Sequence, residues 1–563
     1  MTPTDTKRDL IPIWKSTRDA AHSPELQPVK TQKPPPLQEP TTPGLLKEFI
    51  EHKNLGIAAN LFNIATLEND TTATTIAAEF ILNHPNSPPA LISACHSALK
   101  HKLNSHSTTD VHLFIHATRK SLKDNVKNPL AWVDLSRAYA TINEREKSER
   151  AMWSALHLTS NHRWISRMAA RLFIHLEDTS KAQYALTRNE NLKNDPWLLS
   201  TDLVLSRLSN RPLKHWKIAK NLVESSIKPI HLSELSSSLA TTELINGASK
   251  KARNYFKQSL IAPTSNSLAQ VKWADRSFLL GFSTQIENSL AVTANAFEAK
   301  YLEAYDKKDM FSALRYAMQW WEEEPYSSAP PQAIAYLAAL TNDIPLLKKV
   351  SKESLQANPN DNTIQLNYIF SLLCDLRYTL EFRNESLEPI IKTLRTIMDS
   401  DEKSEAAHAS ANIGLIAYRL GQFDTGKMYY NWAASYYEKA SKPAMLYLLV
   451  NHLRESLIAE CSWSTSIKDQ IKKQLQGANA FSAPAAEYYL ANIEDLEKLP
   501  GPWIEKLSKP FAQPTPNNNE IKPTPVERKI LSLDDMAEKF WLPQDILTTN
   551  ELLRFLKNEK PKN

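Results

Sequence analysis

Glycine is nearly missing from this chain: there are nine in 563 residues. Sandwiches and doubly wound nucleotide-binding folds place glycine in tight turns and phosphate loops. Its scarcity argues against both and leaves little from which to build a phosphate cradle. Cysteine is scarcer still. Cys95, Cys374 and Cys461 stand far apart, and such spacing makes neither a disulfide framework nor a zinc pattern. Three isolated thiols fit a reducing compartment. No apolar run reaches the roughly 18 residues that a membrane span needs. The opening stretch MTPTDTKRDLIPIWKS lacks the apolar run of a signal peptide. The expectation is a soluble, cytoplasmic protein with no membrane partner. Phosphate-binding loops, nucleophile-elbow patterns and metalloprotease helix motifs are all missing. The reading is therefore not an enzyme, with no cofactor and no metal.

What is present is helical. Ala, Leu, Lys, Glu, Ser and Asn dominate, and a glycine-poor chain of this kind favours helix. Proline marks two segments of another character. Residues 1–43 hold nine of the 34 prolines and residues 501–527 hold six more. Proline lacks an amide proton and locks φ, so neither segment continues a helix. The first reads as a disordered arm and the second as a linker. Residues 44–500 between them show helical periodicity nearly throughout. Residues 528–563 read as two short amphipathic helices, with Phe540 and Trp541 on the first.

Within the central region, NPLAWVDLSRAYATINEREKSERAMWSAL (128–156) carries Trp132, Leu135, Tyr139, Ser148, Met152 and Ala155 at fixed offsets. The stretch 411–440 repeats the theme with Gly414, Ala417, Gly421, Phe423, Gly426, Tyr430 and Ala433. Pro129, Pro196 and Pro263 are each 67 residues apart, close to two periods of 34. In this spacing the chain resembles the tetratricopeptide repeat family. The resemblance implies an all-α superhelical solenoid of stacked antiparallel hairpins, roughly 11–13 of them over residues 44–500. It also implies that first helices line a concave groove that commonly binds peptides.

Charge is uneven. Residues 96–275 hold 27 Lys and Arg against 15 Asp and Glu, while the whole chain is only +5. This is either a set of solvated helix faces or an anion-binding surface. Within it, Arg163, Arg167 and Arg171 fall at successive i+4 steps. They form one stripe on what should be a first helix. Like charges on one face repel unless something offsets them, so the stripe either faces water or grips an acidic partner. Trp320 fits a packing position, and Trp321 beside it reads as partly exposed and a candidate contact. His112 and His116, one turn apart, suit a metal by spacing alone; surface or packed histidines explain them better. Trp14 in the arm docks either on the body or on a partner. Phe540 and Trp541 belong either to a cap or to a partner contact.

The function expected is a non-catalytic scaffold or adaptor in a multiprotein complex. It would hold a peptide or domain, an acidic one among the candidates, in the concave groove. Its candidate contacts are Arg163, Arg167, Arg171, Trp321, Phe540, Trp541 and Trp14. The alternative is a nucleic-acid-associated regulator acting through residues 96–275. That region interleaves Trp132, Trp153, Trp164, Trp197, Trp216 and Trp273 with its Lys and Arg, and bases stack on aromatics that are exposed.

Overall fold

The computed structural model describes residues 42–476, apart from 68–69, 89–90, 93, 96–107, 294, 341–342, 376–386 and 441. The proline-rich linker, the C-terminal helices and nearly all of the N-terminal arm lie outside the described residues. Trp14, Phe540 and Trp541 lie outside them too. Thr42 and Pro43, assigned to the arm from sequence, already belong to the first helix. Among the described residues there are 24 helices and no strand. No described helix is long and apolar enough to cross a membrane. Residues 42–303 with 316–327 form one compact unit, and residues 304–315 with 328–476 form another.

In the first unit, helices follow in packed pairs. Pro129–Thr141 packs on Arg145–Leu158, Arg163–His175 on Thr179–Thr187, Pro196–Leu208 on Trp216–Val223, and Pro229–Ile245 on Ser249–Ser259. The first helix of each pair also packs on the first helix of the next, onward to Ser265–Phe278. The second unit repeats this arrangement. Ala329–Leu340, Asn362–Asp375, Lys403–Arg419 and Lys442–Ile458 pack in succession. Such pairing is compatible with an α-solenoid.

The helix starts are written in the sequence. Asn128 accepts backbone N–H bonds from Leu130 and Ala131, and Asp195 accepts them from Trp197 and Leu198. Pro129 and Pro196 follow as the first helical residues, where a missing N–H costs nothing.

The turn after the first helix of a pair closes in one recurring way. Asn143, Glu177, Asn210, Gly247, Lys308, Gly421 and Glu460 all have positive φ. The residue after each donates its N–H to a carbonyl five residues back. These bonds run Glu144 to Tyr139, Asp178 to Phe173, Arg211 to Ser206, Ala248 to Glu243, Asp309 to Ala304, Gln422 to Ala417 and Cys461 to Ser456, all at 2.7–2.9 Å. This is the Schellman closure, which satisfies helix-end carbonyls and favours glycine at the left-handed residue. Only Gly247 and Gly421 supply glycine there.

Small residues set how closely paired helices approach. Ser136 Oγ donates to Ser148 O at 2.7 Å and Ser148 Oγ returns a bond to Ser136 O at 2.8 Å, both buried. The same twelve-residue offset separates Gly414 and Gly426. A Cβ on Gly414 would lie 2.9 Å from the Tyr430 ring, and one on Gly426 would lie 2.5 Å from the Tyr418 ring. Two hairpins far apart in sequence thus solve one close crossing, once with paired hydroxyls and once with no side chain.

Exposed Glu177 and Glu460 hold left-handed conformations at φ 63° and 50°. That conformation costs an L-residue about 1–2 kcal/mol, and glycine's greater unfolded-state freedom returns part of this. Glu177→Gly and Glu460→Gly should therefore each raise stability by ~0.5–1 kcal/mol. The denaturant midpoint measures this, and a lower midpoint in both would contradict the turn assignment.

Candidate functional site: a buried ladder of arginines

The helix Arg163–His175 is buried on every side from Arg163 to Phe173. Its arginine stripe therefore points into the protein. Arg163, Arg167 and Arg171 are 7%, 0% and 6% exposed. A guanidinium removed from water needs a carboxylate, because an unpaired buried charge costs several kcal/mol. Each arginine has one from this chain. Arg163 Nε binds Asp195 Oδ2 at 2.7 Å, Arg167 pairs with Glu234 and Arg171 pairs with Glu324. The partners lie 32, 67 and 153 residues further along the chain.

This corrects the expectation of an open stripe facing a partner's acids. Like charges one turn apart are tolerated because each carries its own counter-ion. A second correction concerns Trp321, expected to be partly exposed. It is buried at 5% beside Trp320 at 2%. Trp320 stacks on Tyr301, with ring centroids 6.2 Å apart.

Each rung is held from several sides. Asp195 gives Oδ2 to Arg163 while Oδ1 caps the helix Pro196–Leu208. Trp197 presents its ring to two rungs, 5.8 Å from the Arg163 guanidinium and 5.1 Å from that of Arg167. This is a cation–π arrangement that gains from desolvation. The Trp197 indole N–H donates to His231 Nδ1 at 3.3 Å. At the far end, His175 packs on Tyr326 with centroids 4.9 Å apart.

Both histidines are kept neutral. Burial, then Arg163 and Lys228, depress His231 to about 4. Burial, then Arg145 and Arg171, depress His175 to about 4. Arg171 is pulled down by burial and pushed up by Glu324 and Tyr326, and it ends above its ordinary value. The ladder is thus a desolvated assembly of fixed ion pairs. Chemically it fastens helices that are distant in sequence.

The second unit has a counterpart. Arg419 Nη2 donates to Glu455 Oε1 at 3.0 Å, and Arg454 Nε donates to the same oxygen at 2.8 Å. Arg454 also lies 3.6 Å from the Cys374 thiol. Burial holds that thiol above its ordinary value against the pull of Arg454 and Arg419.

His112 and His116 lie exposed on the helix Thr108–Asp124. Among the described residues, no group of three or more His, Cys, Asp or Glu is placed to hold a metal. A scan against protein-family models matches none, and a search of curated proteins returns no match.

Sequence reasoning missed the three carboxylates. Asp195 and Glu234 carried a usable signal, since their offsets of 32 and 67 are close to one and two of the expected 34-residue periods. Glu324 carried none. It stands in WWEEEP, where the tryptophans drew attention.

Two outcomes test the ladder. Arg167→Met and Glu234→Leu should each cost about 3–5 kcal/mol, and the double variant should recover most of that. Additive losses in a denaturation series would rule out a direct pair. The histidines set a pH dependence. His231 stays neutral in the fold but binds a proton below about pH 6.5 once unfolded. Stability is therefore full above pH 6.5 and falls as pH drops toward 4, by roughly 3 kcal/mol for this one residue. His231→Gln should flatten that slope in a series of denaturation curves from pH 7 to 4. An unchanged slope would remove His231 as its cause.

Proposed function

We propose that the protein is a helical-repeat scaffold, similar to tetratricopeptide proteins, that works by binding another protein and not by catalysis. The observation that supports this most is the recurring hairpin. Seven turns share one left-handed closure at the end of a first helix, and two close crossings use the same twelve-residue offset. Stacked hairpins of one kind offer a regular surface, which suits multivalent contact. Within this reading, Arg163, Arg167 and Arg171 are structural: their charges are matched internally, so a partner is met by other residues. Assignment to the cytoplasm and to a multiprotein complex rests on the same reading.

The nucleic-acid alternative is weakened by its tryptophans. Trp164, Trp197 and Trp273 are buried. The Trp132 indole donates to Val126 O at 2.8 Å, and Trp153 packs on Phe173 and Tyr184. Few ring faces remain for bases.

Affinity purification of the full-length chain, alongside one ending at residue 527, tests the scaffold reading. The expected result is a specific co-purifying protein at near-stoichiometric yield with the full-length chain. A chain that purifies alone, yet retards nucleic acid in a mobility-shift assay at low salt, would contradict it.

A further inference from the structure

The basic excess does not all go inside. Residues 203–223 and 244–274 each contain five Lys or Arg and no Asp or Glu. Lys220 and Lys272 pair with Glu243 and Glu303. Arg211, Lys214, Lys217, Lys250, Lys251 and Arg253 are exposed and form no ion pair among the described residues. Of the acids that flank these stretches, Glu224 is exposed near Tyr255, while Asp202 and Asp275 are committed elsewhere. Asp202 takes His215 at 2.8 Å and Gln183 at 2.8 Å. The Asp275 carboxylate accepts from Phe282 N at 2.9 Å and Ser283 Oγ at 3.2 Å.

These cations stand at or next to consecutive turns that share one edge. The turn after Pro196–Leu208 carries Arg211 and Lys214, and the turn after Pro229–Ile245 leads into Lys250 and Lys251. Leu213 and Trp216 pack against the same core cluster as Tyr255, which joins the first turn to the second hairpin. Arg253 lies over the Phe282 ring, 5.8 Å from its centroid, which joins the second hairpin to the turn after Ser265–Phe278.

Three large apolar side chains are exposed along this edge, although the Phe278 ring also packs edge-on against Trp273 with centroids 5.6 Å apart. Ile245, Phe278 and Leu279 are 41%, 47% and 67% exposed. Leu279 is the telling one. It holds the left-handed conformation at φ 53°, where the seven Schellman turns have Gly, Asn, Glu or Lys. A leucine there gains nothing from burial and bears the conformational cost. Asp275 fixes the turn that presents it, through the bonds to Phe282 and Ser283.

Apolar tips among unpaired cations match a surface that is anionic outside and apolar a few ångströms in. A peptide ligand would want its apolar anchors received in a groove, whereas these side chains stand at the ends of two helices, Ile245 on one and Phe278 with Leu279 on another. We propose that this edge, with Leu279 and Phe278 as inserting tips and Lys250, Lys251 and Arg253 as headgroup contacts, docks on an anionic lipid bilayer. No membrane partner was expected from the sequence, because no segment spans one; peripheral docking requires no span. The inference does not depend on the scaffold reading.

Sedimentation of the full-length protein with large unilamellar vesicles tests it. The vesicles are phosphatidylcholine alone or with about one-third phosphatidylserine. The protein should pellet with the second and stay soluble with the first, and added salt should release it. Lys250→Glu combined with Lys251→Glu should weaken binding roughly tenfold or more, since each cation near an anionic surface strengthens it about fivefold. Leu279→Asn suits the left-handed turn, so it should keep the melting temperature while weakening binding severalfold. The proposal is overturned by no pelleting, by equal pelleting on neutral vesicles, or by variants that pellet like the parent. Binding to heparin without binding to vesicles would overturn it too, and would point to a polyanion partner.

Discussion

A guanidinium group cannot be left alone in a protein interior, and three of them on one helix face make that constraint severe. Burying Arg163, Arg167 and Arg171 requires three carboxylates, each arriving from a different part of the chain. Asp195 comes from the next hairpin, Glu234 from the one after, and Glu324 from far beyond. The helix Arg163–His175 can be buried on all sides only once those segments are in place. This makes it the point on which the first unit converges. It also keeps the histidines beside the ladder neutral, through burial first and neighbouring cations second.

The same helices account for the odd composition. Close crossings need small residues, and here serine serves as well as glycine, because a buried hydroxyl can bond across the gap, as Ser136 and Ser148 do. The left-handed turns prefer glycine but accept Asn, Glu or Lys at a modest cost. A chain can therefore close many helical hairpins and still hold only nine glycines.

Much of the fold was legible and much of the site was not, for one physical reason. Helix starts, the Gly421 turn and the small-residue crossings are local or nearly local, and local preferences can be read from spacing. Whether a polar stripe faces water or core depends on what packs against it. Nothing within the helix Arg163–His175 distinguishes a solvated basic face from a buried paired one. The answer lay in residues up to 153 positions away. Trp321 fell to the same limit: an aromatic after a core position reads as partly exposed until its neighbours are known. The basic excess likewise divides in two, with buried arginines matched by acids and exposed cations at the turns that have no ion pair among the described residues. Summed charge reveals the total and hides the division.

The central claim is that the arginine stripe is internal. Phenylglyoxal labelling of the native protein, read arginine by arginine by peptide mass spectrometry, tests it most directly. The account predicts that Arg211 and Arg253 are modified in the folded protein, while Arg163, Arg167 and Arg171 react only after denaturation. Modification of those three in the native state, at the rate of Arg211, would contradict it.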